Sequence, residues 1–180
     1  PVATPMTASP LTVVIADDSA LYRQMLINVL RRIVGVEVVA VASDGREAVE
    51  LHSLRPYAAI LMDLQMPGMD GLEATQKLLA AVPDANVLMF TAYSERALLT
   101  RALECGARGY ILKEASHATL VRAIEKVADG GSYVDPGLMP AFLEGRDRED
   151  LLTAREREIL GHEIPHGRVP TERVVGRTRH

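Results

Sequence analysis

The chain has 180 residues, 48% hydrophobic and 24% charged, with a formal net charge of −4. This length allows one domain of about 100–150 residues with an additional segment, and the acidic balance argues against a chain dominated by nucleic-acid binding. The single cysteine excludes an internal disulfide framework and no apolar run reaches the ~18–20 residues of a membrane span, so we expect a cytoplasmic protein without a membrane partner.

Predicted strands begin after a short leader. Residues 1–10 have neither the basic nor the apolar region of a signal peptide, and we predict that they are disordered. Five apolar runs follow that are too short for typical helices, and several are rich in Val and Ile, which indicates buried β-strands. These runs are Leu11–Ala16, Val36–Ala42, Ala58–Met62, Val87–Phe90 and Tyr110–Leu112.

Helical patterns follow each of these strands. Their apolar residues recur every three to four positions, as in amphipathic helices. The first such stripe is Leu21, Met25, Val29 and Ile33. The predicted N-caps are Ser19, Asp44, Ser94 and Ser116. Alternating strands and helices imply parallel pairing and an α/β fold with a doubly wound sheet, whose ligands bind beyond the carboxyl ends of the strands.

The character of the chain changes after Gly131. Residues 132–150 are rich in Gly, Pro and charge, and we predict that they form a linker. A second segment opens with LTAREREIL, where Thr153 is a predicted N-cap and Glu156 occupies the capping-box position. Prolines and glycines then interrupt any helical pattern, so we expect residues 151–180 to be disordered.

Three aspartates follow predicted strands. Asp17 and Asp18 end the first strand, and Asp63 ends the third. Neighbouring parallel strands end at the same edge of a sheet, so these carboxylates should converge, repel one another and raise one another's pKa values. A hard divalent cation removes that penalty, and Mg²⁺ prefers oxygen ligands. The sequence therefore predicts a magnesium site.

Two further side chains are expected at the same edge. Thr91 ends the fourth strand and supplies a hydroxyl, and Lys113 follows the fifth and supplies a cation. Carboxylates, a metal, a hydroxyl and an ammonium together suit phosphoryl transfer to one of the aspartates. Taken singly, Asp17 and Asp18 could instead favour a helix dipole, Thr91 could simply end a strand, and Lys113 could be solvated.

The order of these residues resembles a known family. DD, then D-x-x-M-P-G-x-D-G, T-A and K at successive strand ends resemble the receiver domain of two-component response regulators over residues 11–131. GARGYILKEAS and LTAREREIL are similar to segments of its NarL/FixJ class, which carries a LuxR-type helix-turn-helix domain. The resemblance implies a flavodoxin-like sheet of five strands in the order 2-1-3-4-5. It also implies that residues 151–180 are the truncated start of the DNA-binding domain.

The resemblance assigns roles at the acidic cluster. It implies that Asp63 is the phospho-acceptor and that Lys113 contacts the phosphoryl group. It also implies that Asp18 binds Mg²⁺ directly and that Asp17 acts mostly through water. The backbone carbonyl of Gln65 would complete the protein ligands.

Four residues around the cluster are given switching or tuning roles by the same resemblance. Thr91 and Tyr110 correspond to a switch pair, in which the hydroxyl turns toward the phosphoryl group and the ring follows inward. Tyr110 as a half-buried core aromatic is the alternative. Gln65 and Tyr93 correspond to side chains that border the phosphoryl group, and we expect Tyr93 to shield it from water.

The implied function is that of a response regulator. A sensor histidine kinase would phosphorylate Asp63 with Mg²⁺, and the switch would alter dimerisation and regulate transcription, without enzyme activity beyond self-phosphorylation and dephosphorylation. The homodimer would use either the fourth helix, fifth strand and fifth helix, or the first and fifth helices. DNA binding is expected of the class, although residues 151–180 lack a recognition helix.

Two alternatives to this function stay open at the level of the sequence. The chain could be a receiver-fold interaction module that acts without phosphorylation or DNA binding. It could also be a hydrolase that works through an aspartyl phosphate. The second alternative is disfavoured because Gln65 stands where such enzymes need an aspartate as acid and base.

Overall fold

The structure is a computed structural model that describes residues 9–54, 57–138 and 140. Its strands are β1 (Leu11–Ala16), β2 (Val36–Ala42), β3 (Ala59–Met62), β4 (Val87–Thr91), β5 (Gly109–Leu112) and β6 (Tyr133–Val134). Its helices are α1 (Ala20–Leu30), α2 (Gly45–Leu54), α3 (Gly71–Ala81), α4 (Arg96–Glu104) and α5 (His117–Ala128), followed by a 3₁₀ turn, Pro136–Leu138. The predictions for residues 1–8 and 141–180 lie outside the described residues.

The strands form one parallel sheet in the order β2-β1-β3-β4-β5-β6, which confirms the predicted doubly wound fold. The order reverses at β1, because β1 pairs with both β2 and β3. Ala16 and Met62, the last residues of β1 and β3, are directly opposite each other. The residues that follow these two strands therefore meet at the same edge of the sheet, where ligands of doubly wound folds bind.

The sixth strand was not predicted. It pairs in parallel with β5, and Gly109 lies opposite Tyr133. A Cβ atom at Gly109 would lie 2.8 Å from the carbonyl oxygen of Tyr133, so the close approach of β6 requires a glycine there. Two residues are too few for a recognisable strand pattern. The folded part of the chain thus extends past residue 131, the end that the sequence analysis gave to the receiver domain, to the buried Leu138.

The core consists of two layers, one on each face of the sheet. Consecutive residues of β1 alternate between them, since Val14 faces the layer of α2, α3 and α4 and Ile15 faces the layer of α1 and α5. The central strands are buried on both faces, which explains why they read as continuous apolar runs. Within the described residues, no helix is long and apolar enough to cross a membrane.

The first residues of the apolar stripe of α1 face outward. Leu21 is 79% exposed and Met25 is 40% exposed, whereas Leu26 and Leu30 face the core. Residues that are four positions apart differ by about 40° in direction around a helix, because four residues make slightly more than one turn. Only the later residues of the stripe therefore approach the sheet. The stripe borders an open space of about 510 Å³ between α1 and α5, here named the α1–α5 groove. Its apolar lining is Leu21, Met25, Val29, Ile33, Ala118 and Val121.

Three of the four predicted N-caps accept a hydrogen bond from the backbone of their helix, namely Ser19, Asp44 and Ser116. The prediction for Ser94 is wrong, because α4 is preceded by Glu95, which makes no side-chain cap hydrogen bond. The N-cap of α3 is Asp70, which the sequence analysis did not identify. Its Oδ1 accepts a hydrogen bond of 2.8 Å from the Glu73 N–H.

Candidate functional site

The turn from β1 into α1 directs its two aspartates to different surroundings. The Asp17 N–H donates to the Ala42 carbonyl at 3.1 Å, so the backbone of Asp17 still follows β2. Its side chain is buried and its Oδ1 accepts a hydrogen bond of 2.8 Å from the Ser19 N–H. Asp18 is exposed. The pair therefore presents one buried and one solvent-accessible carboxylate at the same strand end.

Asp63 extends β3 by one residue in the same way, with its N–H donating to the Ala16 carbonyl at 2.8 Å. The residue as a whole is 6% exposed. Helix α3 begins directly against it, since a Cβ atom at Gly71 would lie 2.0 Å from the Asp63 carbonyl oxygen. Gly71 begins α3, and its lack of a side chain permits this close contact.

The three aspartates converge as predicted, with one carboxylate oxygen of each within 4.8 Å of those of the other two. Lys113 enters this cluster from the end of β5. Its Nζ lies 2.6 Å from Asp17 Oδ2 and 3.0 Å from Asp63 Oδ2. The ammonium contacts two of the three carboxylates, and the nearby Arg23 guanidinium donates to the Asp17 backbone carbonyl rather than to a carboxylate, so the side chains of the cluster keep an excess of negative charge.

The surroundings shift the pKa values of Asp63 and Lys113. Burial raises the pKa of Asp63, while the hydrogen bond and charge of Lys113 oppose this shift and the charge of Asp17 adds to it. Burial lowers the pKa of Lys113, but its contacts with Asp17 and Asp63 outweigh this, and the pKa is raised. Lys113 is therefore held as an ammonium, and further positive charge beside Asp63 would favour the ionised carboxylate.

The donor set fits a hard divalent cation. Asp17 Oδ2 is buried and, among the described residues, contacts only the Lys113 ammonium. Asp18 borders an open groove of about 490 Å³ together with Gln65 and Tyr93, so the cluster is reached from solvent. Several carboxylate oxygens beside open space match the preference of Mg²⁺ for oxygen ligands and retained waters.

Thr91 ends β4 next to this cluster and is fully buried. Its carbonyl accepts a hydrogen bond of 2.8 Å from the Lys113 N–H. Its hydroxyl accepts a bond of 3.4 Å from the Tyr93 N–H. Thr91 is thus connected to the lysine on one side and to the loop after β4 on the other.

The two tyrosines form a chain of hydrogen bonds beside Thr91. The Tyr93 hydroxyl donates to Gln65 Oε1, which joins the loops after β3 and β4. Tyr110 is fully buried rather than half-buried, and its hydroxyl donates to the Tyr93 carbonyl at 2.7 Å. Burial raises the pKa of Tyr110, so its hydroxyl keeps the proton that it donates.

Two residues were missed by the sequence analysis, one at the site and one outside the acidic cluster. Lys113 Nζ lies 4.2 Å from the centre of the Tyr22 ring, a cation–π contact that supports the ammonium. Asp135 is buried at the end of β6. Tyr22 could have been identified from its position in the first turn of a helix that begins at the site. Asp135 gave no signal, because the strand before it was not predicted.

Known proteins are similar to this chain over much of its length. A family model described as "Response regulator receiver domain" matches residues 13–125. The chain is 39% identical over 126 residues to the transcriptional regulatory protein DegU of Brevibacillus brevis, and the match covers 70% of the chain and 53% of that protein. It is 40% identical over 156 residues to the response regulator GacA of Pseudomonas protegens, covering 83% of the chain and 73% of that protein.

A solved structure is similar as well. The crystal structure of a LuxR-family two-component response regulator from Aurantimonas sp. superimposes with a TM-score of 0.74 at 32% identity. The superposition covers 78% of the chain and 100% of that structure. The chain spans about half the length of DegU. The matches therefore identify the domain and leave the activity of the whole protein to be proposed.

We predict that Lys113→Met lowers the free energy of unfolding in Mg²⁺-free buffer by about 3 kcal/mol, because two buried carboxylates lose their shared cation. Urea denaturation of both proteins measures the difference. Lys77→Met is the control, since Lys77 forms an exposed ion pair with Glu73 and its loss should cost less than about 1 kcal/mol. Equal effects of the two variants would contradict a structural role of the buried ion pairs.

Proposed function

The chain belongs to the family of response regulator receiver domains, as its resemblance indicated, and from that membership we propose that it is a phosphorylation switch with Asp63 as the acceptor. The observation that carries the proposal is the cluster of three carboxylates within 4.8 Å, two of them in contact with Lys113. The donor is a phosphohistidine of a sensor histidine kinase.

The reaction transfers one phosphoryl group. A carboxylate oxygen of Asp63 attacks the phosphorus, an O–P bond forms as the N–P bond breaks, and the electron pair remains on the histidine nitrogen. Lys113, which already contacts Asp63 at 3.0 Å, neutralises a phosphoryl oxygen. The Thr91 hydroxyl donates a hydrogen bond to another. Asp17 keeps the lysine in place through its contact of 2.6 Å.

Asp17, Asp18, Asp63 and the Gln65 carbonyl would hold Mg²⁺ at this site. When bound, Mg²⁺ neutralises the charge of the phosphoryl oxygens. The two aspartates would bind Mg²⁺ differently. The buried Asp17 would contact the ion through a water molecule, and the exposed Asp18 would be a direct ligand. The excess of negative charge that Lys113 leaves unbalanced is what supports a cation here.

The purpose of this chemistry is signalling. A hydrolase would need an acid or base two residues after Asp63, where Gln65 stands, and the Gln65 side chain accepts a hydrogen bond from Tyr93. Thr91 and Tyr110 form the switch pair. Both bind the backbone of Tyr93, whose N–H donates to the Thr91 hydroxyl and whose carbonyl accepts from the Tyr110 hydroxyl. The names of relatives such as DegU support transcriptional regulation as the output, although residues 151–180 of this chain lack the recognition helix that DNA binding needs.

We predict that the full chain gains the mass of one phosphoryl group on incubation with acetyl phosphate and Mg²⁺. Intact-mass spectrometry measures the gain. Asp63→Asn should show none, because it lacks the nucleophilic oxygen, and chelation of Mg²⁺ should prevent it. No gain in the wild-type chain, repeated with a histidine kinase as donor, would instead favour an interaction module that acts without phosphorylation.

Tyr93 tunes the lifetime of the phosphoryl group in this proposal, because its ring borders the groove that contains Asp18 and Gln65. Once phosphorylated protein is freed of donor, Tyr93→Ala should lose the group at least about threefold faster than wild type, because water gains access. Tyr93→Phe keeps the ring and removes only the hydrogen bond to Gln65. Equal rates for Tyr93→Ala and the wild type, followed by mass spectrometry, would disprove shielding.

The homodimer proposed for the phosphorylated state uses the α1–α5 groove rather than the face of α4, β5 and α5. Among the described residues, the large apolar side chains that are exposed include Leu21 and Met25 of α1 and none of α4, β5 or α5. Exposed apolar surface of this kind marks an association site. A second copy would cover both the groove and Leu21.

We predict that Leu21→Glu weakens the dimer of the phosphorylated chain by at least about tenfold in Kd, because a charge is placed in an apolar interface. Analytical ultracentrifugation over a range of concentrations measures this. Val34→Glu is the matched control, since Val34 is fully exposed in the turn before β2 and outside the groove. A dimer that is unaffected by Leu21→Glu would point to the other face.

A further inference from the structure

Asp135 is a buried carboxylate outside the acidic cluster. It follows β6 directly and its residue is 7% exposed. Its Oδ2 accepts a hydrogen bond of 3.1 Å from the Leu112 N–H, and its Oδ1 accepts one of 2.8 Å from the Gly137 N–H. Both donors are backbone groups, and no salt bridge within the described part of the chain includes Asp135. A buried charge without a cation is costly.

The Leu112 N–H that Asp135 holds is one residue before Lys113. Successive N–H groups of a strand point to opposite neighbours, so those of Leu112 and Lys113 face different sides of β5. The Lys113 N–H donates to the Thr91 carbonyl at 2.8 Å on the side of β4. The Leu112 N–H donates to Asp135 on the side of β6. The backbone that carries Lys113 is therefore held from both sides.

Asp135 is itself held firmly in place. Its N–H donates to the Tyr110 carbonyl at 2.8 Å, which continues the β5–β6 pairing. Its carbonyl accepts a hydrogen bond of 2.9 Å from the N–H of the buried Leu138. A Cβ atom at Gly137 would lie 3.2 Å from Asp135 Oδ1, so the turn closes tightly around the carboxylate.

Only the two residues of β6 pair with β5, and Asp135 follows directly after them. Without the carboxylate, the Leu112 N–H would lose its hydrogen-bond acceptor on the β6 side. Leu112 is the residue directly before Lys113. The carboxylate thus extends the sheet by one hydrogen bond at the edge where Lys113 meets Asp17 and Asp63.

We propose that Asp135 is a positioning residue for phosphoryl transfer, which acts by fixing the Leu112 N–H and through it the backbone of Lys113. The inference rests on the proposed function of Asp63 as acceptor. Asp135 also connects the site to the chain that follows β6, because the carboxylate that binds the Leu112 N–H belongs to the turn that leads to residue 138.

The test compares rates of phosphorylation of the full chain by acetyl phosphate and Mg²⁺. Asp135→Ala should react at least about fivefold more slowly, because small displacements of a charged group reduce transfer. Asp135→Asn keeps one oxygen acceptor and should be intermediate. The ¹⁵N–¹H resonances of Leu112 and Lys113 should shift in the alanine variant before any donor is added. Val127→Ala is the control, because it removes buried packing of α5 without touching Asp135.

The outcomes separate the two proposals. A wild-type chain that takes no phosphoryl group refutes the proposed function, and this inference falls with it. A wild-type chain that reacts while both Asp135 variants keep its rate refutes the inference alone. An equal loss of rate in Asp135→Ala and Val127→Ala also overturns it, since general destabilisation would then explain both. If Asp135→Ala does not fold, the rate and resonances of Asp135→Asn decide.

Discussion

The two ion pairs of Lys113 are the contacts on which the rest of the site depends. One ammonium lies 2.6 Å from Asp17 and 3.0 Å from Asp63, so it joins the ends of β5, β1 and β3. These pairs are almost entirely buried, and a buried ion pair stabilises a structure only when its geometry is good and its other polar atoms are satisfied. The Ser19 N–H on Asp17, the Tyr22 ring under the ammonium and the backbone bonds beside Lys113 meet that requirement.

The site is also linked to more distant parts of the fold by hydrogen bonds. Tyr93 connects the loops after β3 and β4, and its carbonyl receives the hydroxyl of the buried Tyr110. Tyr110 in turn lies on β5, whose other edge carries β6 and Asp135. A phosphoryl group that moved Thr91 would therefore disturb a connected set of hydrogen bonds, whose donors and acceptors have few other partners inside the core.

Most of the sheet and the location of the site could be predicted from the sequence. β1 and β2 were predicted with their observed bounds, because both are apolar runs that are too short for typical helices and rich in valine. The polar residues at the strand ends, Asp63 among them, were expected at one edge because parallel strands share their direction. The error at Ser94 arose because a helix start was predicted from the local sequence alone, whereas packing decides where α4 begins.

The sequence by itself determined the α/β order, the doubly wound sheet and the set of residues that meet at its carboxyl edge, because these depend on the periodicity of burial and on chain direction. Only the tertiary structure decided that α1 turns Leu21 outward, that β6 completes the sheet, and that Asp135 holds the backbone before Lys113. These features depend on contacts between residues far apart in the chain. A two-residue strand and a single aspartate leave no periodic pattern, and only the position of β5 gives them a partner.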